Sequence, residues 1–177
     1  FALTYDFDTL LGAAKMLEGT HGIVFALLGD GEAREYIKQK VAELRLENVL
    51  MLPPVSETEI VARYINCSDI CVVPLKPEMV ASMITRPSKT FEFWACGKPV
   101  IACANEELAD LLAQSQAGIA LEPGKPEALA KAIEFLYSSR EIAKDMGERG
   151  RQFVLNHFSC QALETNLVRM ISQLRSN

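Results

Sequence analysis

The chain has 177 residues, of which 49% are hydrophobic and 23% charged, a composition typical of a soluble globular domain. Its formal net charge of −5 argues against a general nucleic-acid surface, because binding to a phosphate backbone needs a basic face. No apolar run approaches the roughly 18 residues of a membrane span, and the chain does not open on a charged-then-apolar signal segment. Because the sequence starts at Phe1 rather than Met, we expect it to be a piece of a larger protein.

Short apolar runs alternate along the chain with longer segments of helical periodicity. The predicted helices cover 9–17, 32–46, 56–66, 87–96, 106–114 and three pieces of 126–175 that break near 138 and 158–159. The predicted strands cover 22–28, 48–52, 69–74, 98–103 and 118–121. Strands that are apolar on both faces and separated by helices indicate a parallel sheet covered on two sides. The sequence therefore predicts a single α/β doubly wound, Rossmann-like domain over 1–177 with a helical C-terminus.

The first helix has almost nothing before it. In a doubly wound fold it follows a strand, but only Phe1, Ala2 and Leu3 precede its start region. We expect the opening strand to be clipped or very short.

The third helix has a local start signal. The spacing of Ser56 and Glu59 predicts a capping box at its start.

The five cysteines do not resemble a metal or redox site. They form no CxxC pair, and no histidine stands beside them at ligand spacing. Their odd number and their apolar surroundings favour reduced, buried thiols in a cytoplasmic protein. The histidines also offer little chemistry: we expect His21 at the surface, and His157 to interact with the C-terminal end of a helix.

Ligands of a parallel α/β sheet bind beyond the carboxyl ends of its strands. Gly29-Asp30-Gly31 follows one predicted strand and is half of a dinucleotide-binding GxGxxG pattern, with Arg34 in the third glycine position. A tight turn is the simpler interpretation, and close approach of Gly29 and Gly31 to a ligand is the alternative. After the next strand, Pro54 and Val55 with Pro53 form either a rigid turn alone or a stiff wall for a base.

The segment around Pro87 is more informative. Proline is favoured as the first residue of a helix, so the backbone N–H groups of Ser88, Lys89 and Thr90 would lack intrahelical partners. Together with the helix dipole they would form an anion site. The window from Lys76 to Lys98 contains four basic residues, including Arg86, and two acidic ones; it carries +2, while the rest of the chain carries −7.

Glu92 lies one turn further along the same predicted helix, within an apolar sequence. One interpretation is an ion pair with Lys89 at i,i+3 spacing. The other is that its carboxylate accepts hydrogen bonds from sugar hydroxyls, as acidic residues do for ribose. Gly97 is predicted to end the helix as its C-cap.

Four segments, in order, resemble the C-terminal domain of retaining GT-B glycosyltransferases of the "group 1" family. FEFWACGKPVIA is similar to the family's E-(F/Y)-x-A-x-G-K-P-V-I-A passage. The other three segments are VFALLGDGEAREYIKQKVAELRLENVLML, INCSDICVVP and AGIALEPGKPEALAKAIEFL. The resemblance covers nearly the whole chain.

This resemblance implies a role for Glu92 as the glutamate that binds the ribose hydroxyls. The family's first glutamate falls on Ile84, and the stretch RPSKTFE is similar to a PSK-x-(F/Y)-E variant found in transferases that make polysaccharides and lipid-linked sugars. The family's lysine near the first helix falls on Tyr5, and its arginine lies before residue 1. Arg86 and Lys89 are expected as partial substitutes for these cations.

The resemblance also implies an activity: transfer of a hexosyl group from a nucleoside-diphosphate sugar, most simply a UDP-sugar, to a glycan or lipid-linked acceptor with retention at the anomeric carbon. No metal or other cofactor is expected, because helix N–H groups and cations stabilise the departing diphosphate. The catalytic residues would lie in a missing N-terminal domain, and the acceptor cleft would lie between that domain and this one. This chain alone should therefore be inactive. The helix at about 159–177 would cross to that domain, and the longer enzyme could associate with a membrane surface.

Three alternatives remain at this point. A nucleotide-sugar 2-epimerase shares the GT-B architecture. A non-catalytic nucleotide-sugar-binding module is favoured by the departures at Ile84 and Tyr5. A receiver domain is also doubly wound, but it needs a cluster of acidic residues at strand ends.

Overall fold

The computed structural model describes residues 1–78 and 87–175. The helices in this part of the chain are α1 (Phe7–Met16), α2 (Arg34–Leu44), α3 (Thr58–Cys67), α4 (Ser88–Ala95), α5 (Glu106–Ser115), α6 (Pro126–Ser138), α7 (Arg140–His157) and α8 (Cys160–Arg175). The strands are β1 (Phe25–Leu28), β2 (Val49–Leu52), β3 (Cys71–Pro74), β4 (Val100–Cys103) and β5 (Gly118–Leu121). The predicted alternation of strands and helices with a helical C-terminus is confirmed. None of the described helices is both long and apolar enough to cross a membrane.

All five strands end at the predicted residues, but four of them begin later than predicted. The first starts at Phe25 rather than Gly22, because Gly22 has φ +91° and cannot continue a strand. The carboxyl ends of the strands, where ligands bind in such folds, were therefore located more accurately than their amino ends.

The strands form two parallel sheets instead of the single sheet predicted. In the first sheet Phe25 of β1 lies opposite Val49 of β2. In the second, the order is β3-β4-β5, with Cys71 opposite Val100 and Val100 opposite Gly118. Within the described residues no strand lies between β1 and β3, so the hydrogen-bonded ladder is interrupted there.

Burial of the strands also differs from the sequence interpretation. Only the central strand β4 is buried at every position, whereas β1 alternates between buried and more exposed residues. The two sheets nevertheless share one hydrophobic cluster, since Leu27 of β1 and Ile101 of β4 both belong to it, with α1 and α6. A second cluster, which includes Val73, Trp94 and Leu108, joins β3, β4, α4 and α5.

The start of α1 is fixed by a buried side-chain cap. The carboxylate of Asp6 accepts hydrogen bonds from the backbone N–H of Thr9 at 2.9 Å and from its hydroxyl at 2.6 Å. The helix therefore begins at Phe7, two residues before its predicted start. The opening segment 1–6 contains no strand, only an antiparallel bridge between Tyr5 and Leu75.

The predicted capping box of α3 is wrong. The helix begins at Thr58 with Glu57 as its N-cap, and no side chain caps it. The C-cap of α4 is Cys96 rather than the predicted Gly97, which follows it as the left-handed residue that ends the helix. Gly97 has φ +69°, its N–H donates to the carbonyl of Trp94 at 2.8 Å, and the N–H of Lys98 donates to that of Phe93 at 3.0 Å.

Close packing between α4 and α7 sets the direction of α4. A Cβ added at Gly147 would lie 2.0 Å from the carbonyl oxygen of Gly97, and one added at Gly150 would lie 2.4 Å from the indole of Trp94. The indole N–H of Trp94 donates to the carbonyl of Ala117 at 3.0 Å. Two glycines on one face of α7 thus let the end of α4 and its tryptophan approach the α7 backbone.

We expect Gly147→Ala to lower the free energy of unfolding by about 1–3 kcal/mol, because the added methyl overlaps the backbone of Gly97. Gly19→Ala is the matched control: an added Cβ there meets no atom within 4 Å, so its effect should stay within about 0.5 kcal/mol. Urea unfolding followed by circular dichroism measures both. Equal stability of the two variants would show that α7 can shift away from α4 freely.

Candidate functional site

The first turn of α4 lies at the edge of the second sheet where the carboxyl ends of β3 and β4 are found. The helix runs from this edge back to Gly97, and β4 then returns to it. Ser88 and Lys89 are exposed. Among the described residues, the backbone N–H groups of these two residues have no hydrogen-bond acceptor. The turn therefore offers two N–H donors and the positive end of the helix dipole to an anion.

The sequence interpretation of this turn needs two corrections. Pro87 is the N-cap, with φ −56° and ψ 126°, and Ser88 is the first helical residue. The carbonyl of Pro87 accepts a hydrogen bond from the N–H of Thr90 at 3.0 Å. Only two of the three predicted N–H donors are therefore available, because the cap carbonyl engages the third.

Glu92 and Lys89 form an ion pair, with 2.8 Å between the carboxylate Oε2 and Nζ. Both side chains are partly exposed, at 40% and 49% respectively. The predicted i,i+3 pair is thus confirmed, and the carboxylate stays partly exposed while its apolar neighbours Phe91 and Phe93 pack against the second cluster. The pair holds a carboxylate and an ammonium group beside the two N–H donors.

The burial of the Thr90 hydroxyl is a feature that the sequence did not predict. Its side chain is fully buried, and its hydroxyl has no hydrogen-bond partner in the described part of the chain. A buried hydroxyl without a partner loses its hydration without compensation. No sequence signal distinguishes such a threonine from one that packs with a satisfied hydroxyl.

Tyr5 is the second residue whose place the sequence did not reveal. It is half-buried between the two hydrophobic clusters. Burial has the largest effect and raises the pKa of its phenol, while the ammonium of Lys89 lowers this pKa and the carboxylate of Glu92 raises it. The phenol therefore lies within electrostatic reach of the ion pair on α4. The sequence marked this position only as the place of an absent lysine.

The glycine turn after β1 is occupied by the chain's own first residue. Gly29 and Gly31 have φ values of +140° and +139°, and a Cβ at Gly31 would lie 2.8 Å from backbone atoms of Phe1. The carbonyl of Phe1 also accepts from the N–H of Ala33 at 3.2 Å. The turn interpretation is supported, and the close backbone approach for which these glycines leave room is to Phe1.

The remaining predicted residues are spread along the sheet edge or lie outside the described residues. Pro54 is exposed and Val55 partly exposed just after β2, and no described hydrogen bond or ion pair joins them to α4. Ile84 and Arg86 lie outside the described residues. The structure thus groups Pro87, Ser88, Lys89, Thr90 and Glu92 on one helix end. Among the described residues, no hydrogen bond or ion pair joins them to the predicted positions after β1 and β2.

The positive window of the sequence is divided between opposite edges. Lys98 precedes β4, and its Nζ donates to the carbonyl of Asn66 at 2.9 Å, which places it at the amino ends of the strands. Lys76 follows β3, and its N–H donates to the carbonyl of Thr4 at 3.1 Å at the carboxyl edge. A patch drawn from Lys76 to Lys98 is therefore not one surface, because its two ends lie at opposite edges of the sheet.

The cysteines and histidines form no metal-ligand cluster in the described part of the chain. The described residues contain no group of three or more potential metal ligands. Cys71 and Cys103 are buried, and burial raises the pKa of each thiol to about 11. Cys96 is partly buried, and Cys67 and Cys160 are exposed at helix ends, so the expectation of buried thiols holds only for Cys71 and Cys103. His21 is exposed as predicted, and His157 ends α7.

A family model described as "Glycosyl transferases group 1" matches residues 1–153. The chain belongs to this family. Among curated relatives, it is 27% identical over 158 residues to an uncharacterized glycosyltransferase of Methanocaldococcus jannaschii, covering 84% of this chain and 43% of that protein. It is 23% identical over 166 residues to the lipopolysaccharide core biosynthesis glycosyltransferase LpsE of Rhizobium meliloti, covering 94% and 46%. The group 1 domain thus spans less than half the length of these relatives.

Solved structures show the same fold. The domain superposes on sucrose-phosphate synthase from Thermosynechococcus elongatus with a TM-score of 0.78 at 25% identity, covering 99% of this chain and 43% of that one. It superposes on Anabaena HepE in complex with UDP with a TM-score of 0.81 at 17% identity, covering 97% and 46%. The group 1 domain therefore has the Rossmann-like architecture of one half of a GT-B glycosyltransferase.

We expect Thr90→Val to leave the free energy of unfolding unchanged or to raise it by up to about 1 kcal/mol. Valine has the shape of threonine and removes a hydroxyl that lacks a partner. Chemical unfolding measures the change. The matched control is Thr9→Val, which should lower stability by about 1–2 kcal/mol, because the buried hydroxyl of Thr9 donates to Asp6. A comparable loss in Thr90→Val would show that its hydroxyl is satisfied within the protein.

Proposed function

We propose that this group 1 domain is the donor-binding half of a retaining glycosyltransferase, and that it binds a UDP-sugar at the first turn of α4. The observation that carries the proposal is the pair of unengaged, exposed N–H groups at Ser88 and Lys89 beside the ammonium of Lys89. They lie at the edge of the sheet where ligands of such folds bind. The fold and family membership support the same location.

In this proposal the diphosphate accepts hydrogen bonds from the N–H groups of Ser88 and Lys89. The ammonium of Lys89 breaks its ion pair with Glu92 and moves to the diphosphate. The freed carboxylate then accepts hydrogen bonds from the ribose hydroxyls. During transfer, the bond between the anomeric carbon and the diphosphate oxygen breaks, and the charge that collects on the leaving group is stabilised by these donors. The domain thus contributes leaving-group stabilisation, while the acceptor binds elsewhere.

The choice of a UDP-sugar is supported by structural neighbours. Anabaena HepE has been crystallised with UDP and with UDP-glucose, and TarM of S. aureus with UDP. Each is below 25% identical to this chain, so these structures support the donor class through the shared fold. A hexosyl group and a glycan or lipid-linked acceptor are further parts of the proposal, and the acceptor class is consistent with the name of the lipopolysaccharide core glycosyltransferase LpsE.

The proposal includes an N-terminal acceptor domain as partner. The last helix, α8, has an exposed apolar face, where Leu167 is 58%, Met170 61% and Leu174 78% exposed. Among the described elements, this helix packs against α7. A partner domain would cover this face and complete the acceptor cleft, and the isolated domain would be inactive. We place the whole enzyme in the cytoplasm, with peripheral membrane contact through the complete chain.

We expect Glu92→Ala to weaken UDP binding about tenfold or more in isothermal titration calorimetry, because it removes the acceptor for the ribose hydroxyls. Its melting temperature should change little, since the pair that it breaks is exposed. Glu35→Ala is the matched control: it breaks an exposed i,i+3 pair with Lys38, 2.6 Å long, on α2. That variant should bind UDP like the wild type.

Two results would count against this proposal. A folded wild-type domain that binds neither UDP nor UDP-glucose would contradict the donor site. Parallel losses of stability and affinity in Glu92→Ala would assign Glu92 a structural role only.

At the level of the whole enzyme, we expect transfer of the sugar to an acceptor with the anomeric configuration retained. The measurement is the NMR coupling constant of the anomeric proton in the product. Release of an epimerised free nucleotide sugar would instead identify an epimerase.

A further inference from the structure

We infer that the phenolic O–H of Tyr5 donates a hydrogen bond to the diphosphate on the first turn of α4, an inference that rests on the proposed donor site. It adds a neutral donor to that site, supplied by the segment before α1.

The backbone around Tyr5 is tied to the end of β3. The N–H of Asp6 donates to the carbonyl of Pro74 at 2.6 Å, and the N–H of Lys76 donates to the carbonyl of Thr4 at 3.1 Å. Tyr5 itself forms an antiparallel bridge with Leu75. These contacts hold Tyr5 at the carboxyl edge of the second sheet, the edge to which the first turn of α4 belongs.

The ring of Tyr5 is anchored while its hydroxyl remains available. It packs against both hydrophobic clusters and meets the ring of Phe7 edge-on, with centroids 6.4 Å apart and an interplanar angle of 71°. Among the described residues its hydroxyl has no hydrogen-bond partner, whereas the hydroxyl of Tyr36 donates to Asp8 and that of Tyr137 to the carbonyl of His21. A half-buried phenol of this kind gains a hydrogen bond when a ligand supplies an acceptor.

The charges around Tyr5 connect it to α4. The ring of Tyr5 packs against the second cluster, which contains Trp94 of α4 and also packs against Phe91. The ammonium of Lys89 lowers the pKa of the phenol and the carboxylate of Glu92 raises it, so the electrostatic influence of this pair reaches Tyr5. Because burial is the largest influence and raises the pKa above the ordinary value of 10.0, the group is an O–H donor at neutral pH.

A second observation at the same turn also points to a ligand. The fully buried hydroxyl of Thr90 has no partner in the described chain. The turn thus carries two N–H groups and one hydroxyl that lack partners in the described chain, and the unpartnered phenol of Tyr5 lies at the same edge of the sheet. A diphosphate offers several anionic oxygens, and O–H donors to anionic oxygens form short, strong hydrogen bonds.

The test compares Tyr5→Phe with the wild type, using UDP and uridine as probes in NMR titrations. We expect Tyr5→Phe to raise the Kd for UDP about tenfold and to leave the Kd for uridine unchanged, because uridine has no diphosphate. The control Tyr64→Phe alters a tyrosine that is 38% exposed on α3 and should change neither value. The melting temperature of Tyr5→Phe should match the wild type, since the hydroxyl has no partner to lose.

Each contrary outcome has its own meaning. Equal UDP affinity in Tyr5→Phe and wild type would overturn this inference and leave the donor site intact. A parallel loss of UDP and uridine binding, or a lower melting temperature, would also overturn it by assigning the hydroxyl a structural role. Absence of UDP binding by the folded wild type would contradict the donor site, and this inference with it.

Discussion

The position of α4 depends on the burial of Trp94. Its indole is fully enclosed, donates to the carbonyl of Ala117, and packs against the ring of Phe153 with centroids 5.7 Å apart. Gly150 allows this approach because any side chain there would overlap the indole. Since α4 is only eight residues long, about two turns, locking its last turn also fixes where its first two N–H groups point. The first turn therefore takes its direction from an apolar contact at the opposite end of the helix.

The chemistry at this turn combines few charges with several neutral donors. In the described residues, Lys89 is partly neutralised by Glu92, and Lys76 lies beyond the end of β3. Backbone N–H groups and hydroxyls supply the other donors. Unpaired backbone N–H groups at a sheet edge carry a small free-energy cost without a ligand, because water can solvate them. A donor site of this kind obtains its selectivity from geometry more than from net charge.

The sequence predicted the fold well because the ends of its strands and helices are marked by local signals. The strand ends at Leu28, Leu52 and Pro74 are marked by glycine, proline or polar residues. Gly97 follows α4 with φ +69°, a conformation that glycine adopts without strain. The site was predicted less completely, because its content depends on tertiary placement. The sequence could not show that Lys98 lies at the opposite edge, that Phe1 occupies the Gly29–Gly31 turn, or that Tyr5 lies near Lys89. These facts follow from how separate elements pack, which no local pattern records.

The pair between Lys89 and Glu92 has a consequence for the response of the domain to ionic strength. Dissolved salt screens the attraction between Lys89 and a phosphate, which weakens binding. The same salt also screens the attraction between Lys89 and Glu92, and both of these side chains are partly exposed. The two effects oppose each other in the proposed binding mode, where the diphosphate takes the ammonium group of Lys89 from Glu92. The affinity of this turn for a diphosphate should therefore vary less steeply with salt than the affinity of an unpaired lysine would.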